Sequence, residues 1–219
     1  MTFHEFENEV KDTLAKYVRD KVQIERYTEL ILGLYEEGGE VTSIIRRSIH
    51  GNFHETKIDF EHLSEEIGDI IWYIAHIALQ LDTNLDRIAV ANLQKTDIND
   101  QENYDIGQLS INEYQQRTIN TYRNDLPKTK GERARFLVMG MIKEIGTVSE
   151  LFGGYRIDDT ILDVNMVEEK LGDTLWYLAA ISENFGLDLE TIARKNIQKT
   201  KSRYDKNGIA QVPEKGEEK

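Results

Sequence analysis

The sequence predicts an all-α protein made of two tandem four-helix repeats packed as a pseudo-dimeric bundle. Three observations predict it. Apolar residues recur at helical spacing along each long segment, and no strand-like alternation competes. Prolines are scarce, only Pro127 and Pro213 in 219 residues, so long helices are free to run. The chain is also written twice. "EEIGDIIWYIAHIA" (65–78) matches "EKLGDTLWYLAAIS" (169–182), and "NLQKT" (92–96) matches "NIQKT" (196–200), both offset by 104 residues. Upstream, "GLYEEGGEV" (33–41) matches "GMIKEIGTV" (140–148), and "FHEF" (3–6) matches "INEY" (111–114). The same blocks in the same order give repeats at 1–98 and 108–206. Residues 99–107 form a polar linker, and the tail 207–219 has the composition of a disordered segment.

Each repeat reads as four helices. In the first, a leading helix covers 3–18. A second covers 23–48, with Leu30, Ile31, Leu34, Val41, Ile44 and Ile45 on one face. The loop "HGNFHETKID" follows, and Asp59 is placed to cap a third helix over 60–81. That helix carries Leu63, Ile67, Ile70, Ile71, Ile74 and Ile77. A fourth covers 84–97, with Asn84 as its cap. Neither repeat has a large core alone, so each is expected to bury its apolar faces against the other.

Composition narrows the function classes. Forty acidic residues against 27 basic ones give a net charge of −13, a surface that repels nucleic acid and anionic membranes. The absence of cysteine excludes disulfides and thiolate metal sites. No apolar run reaches the ~18 residues of a membrane helix, and "MTFHEFENEVKDTL" lacks the apolar core of a signal peptide. A cytoplasmic protein is the expectation. No Walker-type glycine loop or G-x-S-x-G nucleophile motif is found.

The second helix carries "EEGGEV" (36–41), two helix-weakening glycines among three carboxylates. Each glycine costs about 1 kcal/mol relative to alanine. Glu36, Glu37 and Glu40 share one face by their spacing of three and four, and so do Glu66 and Asp69 on the third helix. If those two helices pack antiparallel, four or five carboxylates converge near the core, an arrangement that demands cations. Oxygen-only ligands suit Mg2+ or Mn2+, which in turn carry nucleotide phosphates. The alternative is a solvated acidic face. The glycines argue against it, because they permit close approach by a helix or a ligand.

"GLYEEGGEV", "EEIGDIIWYIA" and "NLQKT" together resemble the MazG-like branch of the all-α NTP pyrophosphohydrolases, whose pattern is E-E-x-x-E, a spacer, then E-x-x-D. The tail "NIQKTKSRYD" (196–205) resembles that family's closing N-x-x-K-x-x-x-R-Y segment. The resemblance implies a magnesium-dependent enzyme that splits a nucleoside triphosphate into a monophosphate and pyrophosphate, for nucleotide-pool housekeeping. It implies that Glu37, Glu40, Glu66 and Asp69 hold the metal, with Glu36 as an additional or outer ligand. Glu36 or Glu40 would accept the attacking water's proton, a choice the sequence leaves open. A non-catalytic nucleotide-binding or regulatory protein of the same fold is the alternative. A di-iron bundle would need E-x-x-H pairs, and none accompanies these acids. The family also implies a possible homodimer of the pseudo-dimer.

The second repeat has lost most of the acids. Glu36, Glu37, Glu40, Glu66 and Asp69 correspond to Lys143, Glu144, Thr147, Lys170 and Asp173. It is either a degenerate copy that completes the bundle or a partner in a composite site. In the second case Gln115, Asn196, Lys199 and Arg203 would contact substrate, with Lys199 and Arg203 gripping phosphate. Asn92 and Lys95 are the matching candidates of the first repeat. Tyr73, one turn after Asp69, is the candidate to touch a base, and Arg47 to clamp phosphate. His50 and His54 read as surface-loop residues, with His50 the more interesting because the family often has a histidine-glycine pair there.

Overall fold

A computed structural model of the chain describes residues 1–50, 58–96, 106–121, 126–157, 161–203 and 209. Among these the regular structure is entirely helical: α1 (Phe3–Val10), α2 (Lys16–Arg19), α3 (Gln23–His50), α4 (Phe60–Gln80), α5 (Leu85–Thr96), α6 (Ile111–Asn120), α7 (Lys130–Ile157), α8 (Val164–Phe185) and α9 (Leu189–Arg203). His54, Lys57, residues 99–105 of the linker and all of the tail except Ile209 lie outside the described residues, as does the side chain of His50.

The expected helix starts are present with their caps. Asp59 Oδ1 accepts from the His62 backbone N–H at 3.0 Å, and Asn84 Oδ1 accepts from that of Arg87 at 2.8 Å. Thr2 and Glu5 form a capping box on α1, and Ser110 caps α6. These two caps meet. Thr2 and Ser110 form an isolated antiparallel bridge, with the Ile111 backbone N–H donating to the Met1 carbonyl at 3.0 Å. The starts of the two halves are thus stitched together.

One boundary differs from expectation. The leading helix stops at Val10 and resumes only as the short α2. Thr13 is the reason. Its backbone N–H and hydroxyl both donate to the Val10 carbonyl, at 2.8 and 2.6 Å, which closes a turn in place of continuing the helix. The Thr13 hydroxyl then accepts from the Trp72 indole N–H at 2.7 Å. Thr121 accepts from Trp176 in the same way, also at 2.7 Å.

One apolar core runs through both halves. Leu63, Ile67, Ile70, Ile71 and Ile74 of α4 are fully buried, as are Leu171, Leu175 and Leu178 of α8. Burying a side chain of this size contributes roughly 1.5–3 kcal/mol. The long helices α3 and α7 pack against each other in antiparallel fashion: the ring of Tyr27 meets that of Phe152 at 5.0 Å, and Gly38 meets Ile145. A Cβ at Gly38 would sit 2.8 Å from Ile145 Cδ1. Gly38 and Ile145 occupy corresponding positions, so a small residue on one half receives a large one from the other. Gly39 has nothing within 4 Å and is exposed, so helix packing accounts for only one of the two adjacent glycines.

The closing helices are crossed. The last helix of the second half, α9, lies on α4 of the first, and the last helix of the first half, α5, lies on α8 of the second. Gly68 and Gly172 receive these helices: a Cβ at either would fall 3.1 Å from the Cβ of Asn196 or Asn92 respectively.

Candidate functional site

The first-half acids come together on α3 and α4. Ligand oxygens of Glu37, Glu66 and Asp69 lie within 4.8 Å of one another. Glu66 and Asp69 are buried, and Glu37 is half-buried. Burial, then a hydrogen bond to Glu66 and the negative charges of Asp69, Glu66 and Glu36, push the Glu37 carboxyl up to about 8. Such crowding is what a bound cation would relieve, and an all-oxygen donor set of this size fits a hard divalent ion.

A second triad shares Glu66. Ligand atoms of Glu40, His62 and Glu66 also lie within 4.8 Å of one another. The His62 ring nitrogen Nε2 is 2.7 Å from Glu66 Oε1 and 3.4 Å from Glu40 Oε2. Sequence reasoning missed His62, although its spacing of four from Glu66 places both on one face of α4. Glu40 is exposed and stands with His62, apart from the Glu37–Asp69 triad. Glu36 is exposed and belongs to neither triad.

The crossed helix α9 completes the first-half cluster. Asn196 Nδ2 donates to Asp69 Oδ1 at 2.6 Å, and Lys199 Nζ donates to Asp69 Oδ2 at 2.5 Å. Asn92 and Lys95, by contrast, do not enter this cluster. The crossing takes them to the second half, where Asn92 Nδ2 donates to Asp173 Oδ1 at 3.1 Å and Lys95 Nζ reaches both Asp173 oxygens at 2.8 Å.

Tyr73 lies beside the first-half acids, with its ring over Gly33, where a Cβ would fall 2.2 Å from it. Burial first, and then Glu37, Asp69 and Glu36, push its hydroxyl well above the ordinary range. Gly140 and Tyr177 repeat the arrangement in the second half.

Gln115 is placed away from the acids. Its Oε1 accepts from the Leu189 backbone N–H at 2.7 Å and its Nε2 donates to the Leu187 carbonyl at 2.9 Å. It therefore ties down the start of α9, and Glu7 does the same for α5 by accepting from Leu85 N–H at 2.7 Å. Arg47 and Arg203 are exposed at the ends of α3 and α9, and the structure brings neither into the carboxylate cluster.

The second half answers the same packing problem with lysines. Lys170 Nζ lies 3.5 Å from both Glu144 Oε2 and Asp173 Oδ2, and 3.2 Å from Glu169 Oε1. Burial pulls its ammonium down, but the hydrogen bond to Glu169 and the charges of Glu144, Asp173 and Glu169 hold it above its ordinary value. Lys143 Nζ adds a contact to Glu144 Oε1 at 2.6 Å.

Fold and cluster together define an all-helical protein with an oxygen-rich candidate cation site in its first half. Residues 25–100 match the family model of the MazG nucleotide pyrophosphohydrolase domain, a span that takes in α4, α5, all but the first two residues of α3, and both acidic motifs. The likeness carried by E-E-x-x-E and E-x-x-D therefore holds over that segment. The Gene 37 protein of Mycobacterium phage L5 is 32% identical over 73 residues, which is 33% of this chain and 64% of that protein. The match thus spans less than two thirds of that relative's length. No solved structure matches the chain. No described helix is long and apolar enough to cross a membrane.

Proposed function

We propose that the chain is a divalent-cation-dependent nucleoside triphosphate pyrophosphohydrolase, with two repeats (1–98 and 108–206) packed as a pseudo-dimer and one working site, in the first. The observation that carries this reading is the convergence of Glu37, Glu66 and Asp69 in a segment matching the MazG domain. Glu37, Glu66 and Asp69 would hold Mg2+ or Mn2+, and Glu40 would join them from the neighbouring triad. A cation bound there would neutralise the triphosphate and polarise the attacking water.

The chain's own residues supply the rest. Asn196 and Lys199 fix the Asp69 carboxylate by a hydrogen bond on each oxygen, so its orientation depends on the second half. In this reading the second half is a contributor to the site and not only a filler of the bundle. Glu40, exposed and within reach of His62, is the better placed of the two candidate proton acceptors, because Glu36 lies outside both triads. Tyr73 closes the apolar side of the site against α3.

The test is pyrophosphate release from a panel of NTPs and dNTPs with Mg2+, run beside Glu40→Ala. Turnover that is lost in the variant is the expected result. Binding without turnover in the native chain would favour a regulatory protein, and release of orthophosphate would overturn the proposed cleavage position.

A further inference from the structure

The two first-half triads differ in the donors they offer. Glu37, Glu66 and Asp69 present oxygen alone, whereas Glu40 and Glu66 are joined by the imidazole of His62. His62 stands in the first turn of α4, where Asp59 accepts from its backbone N–H at 3.0 Å, and Glu66 follows one turn later on the same face. Two ligands four apart on one helix face is a spacing that chelates zinc. Glu40 completes the set from α3. The matching positions of the second half are Thr147, Met166 and Lys170, so the nitrogen-and-oxygen set belongs to the first half.

The ligand atoms are spaced for one ion. Around a tetrahedral Zn2+, with ligands at roughly 2.0–2.1 Å, neighbouring donors stand roughly 3.3 Å apart. His62 Nε2 is 3.4 Å from Glu40 Oε2, which already fits, and 2.7 Å from Glu66 Oε1, a hydrogen-bond distance. An ion would replace the proton between that second pair and part the two atoms by about half an ångström. The way in is open. The side chains of His62 and Glu40 are 39% and 47% exposed, and Glu66, at 10%, forms the floor. An ion can therefore enter from solvent and keep a water as its fourth ligand. Imidazole suits Zn2+ and its neighbours, whereas Mg2+ takes oxygen ligands and holds on to its waters.

We propose that Glu40, His62 and Glu66 form a second cation site that selects nitrogen-accepting ions, Zn2+ foremost, over Mg2+. Glu66 belongs to both triads, so an ion held by His62 competes for that carboxylate with an ion held by Glu37 and Asp69. Zn2+ in this site is therefore a brake on Mg2+-driven turnover. The brake rests on the proposed function, and the site itself does not.

The test is calorimetric titration of the native chain and of His62→Gln with Zn2+ and, separately, with Mg2+, without nucleotide. Zn2+ is expected to bind the native chain in the micromolar range. The substitution should weaken Zn2+ by at least roughly tenfold, as loss of a ligand does, and Mg2+ far less. A second measurement needs no variant. Spin-active Cd2+ stands in for Zn2+, and NMR of the native chain with labelled histidines should show scalar coupling between the metal and His62 Nε2, which only a direct bond transmits. Zn2+ binding indifferent to His62, equal weakening of both ions, or bound Cd2+ without that coupling would overturn the site. In the native chain Zn2+ should also slow Mg2+-driven pyrophosphate release, and more Mg2+ should restore it. Undiminished release at saturating Zn2+ would overturn the brake. The two readings fail separately: His62-dependent Zn2+ binding in a chain that releases no pyrophosphate would leave this site standing and overturn the proposed turnover.

Discussion

The two halves solve the same electrostatic problem differently. In the first, Glu37, Glu66 and Asp69 crowd together, and the ammonium that touches them is Lys199 on Asp69. In the second, Glu144 and Asp173 keep their places, but Lys170 stands where Glu66 would be and Lys95 braces Asp173. A lysine side chain is a cation fixed by covalent bonds, whereas the first half is left short of positive charge. The difference teaches that a negative cluster on two packed helices must be neutralised somehow. Of the two, the first half keeps the acidic cluster that could hold a cation.

The sharpest way to break this comparison is to give the first half the second half's residue. Glu66→Lys should abolish metal-dependent pyrophosphate release, by roughly a hundredfold or more, as expected for a group that orients charge at a reacting phosphate. In EDTA the same variant should melt no lower than the native chain and up to a few degrees higher, because about 1 kcal/mol of relieved repulsion shifts Tm by roughly 2–4 °C at this size. Retained turnover, measured beside the melting curve, would show that the first-half cluster is not the working site.

Acidity gives a graded version of the same contrast. A carboxyl raised in the folded chain binds its proton more tightly there than in the unfolded one. Its contribution to stability is therefore complete below its ordinary value of 4.5 and is lost as pH rises through about 8. A cation must expel that proton. Affinity for Mn2+ should rise with pH between 4.5 and about 8, by at most about tenfold per pH unit, and level off above. Calorimetric titration at several pH values checks this, and a flat profile would sink it.

The smallest effect concerns one hydroxyl. Asn92 is bonded at both ends of its amide: its Nδ2 donates to Asp173, and its Oδ1 accepts from the Tyr114 hydroxyl at 2.9 Å. Its counterpart Asn196 donates to Asp69, but its buried Oδ1 makes no hydrogen bond. The residue matching Tyr114 is Phe6, which has no hydroxyl. Phe6→Tyr should satisfy Asn196 and raise unfolding stability by about 1 kcal/mol, read from denaturant midpoints. A loss of stability would mean that the Phe6 pocket has no room for the oxygen.

Much of this was legible in the sequence for a physical reason. Helical period, caps at Asp59 and Asn84, and acids three and four apart are local properties, and the all-α fold follows from them. What was not legible is which copy of a repeat each helix packs on. The spacing of Asn92 and Lys95 fits Asp69 and Asp173 equally well in one dimension, and only the crossing of α5 and α9 decides. Gln115 had the look of a substrate ligand because an amide near a site and an amide tying down a helix start are the same residue type. The break after Val10 came from Thr13, whose hydroxyl bonds locally to Val10 but accepts from Trp72 only because α4 is there. His62 was within reach of a spacing rule, but pairing it with Glu40 requires the register of α3 on α4.

The crossing of α9 also sets a timetable. The partners of Asp69 lie 127 and 130 residues further along the chain. Contacts that distant must close a long loop before they repay its entropy, and they form late in folding. During synthesis the first half therefore emerges with the Asp69 carboxylate unheld. Its counterpart is timed the other way: Asn92 and Lys95 are already made when Asp173 appears. The half that lost most of its acids can thus assemble its cluster as it is made. The half that kept them has to wait for α9.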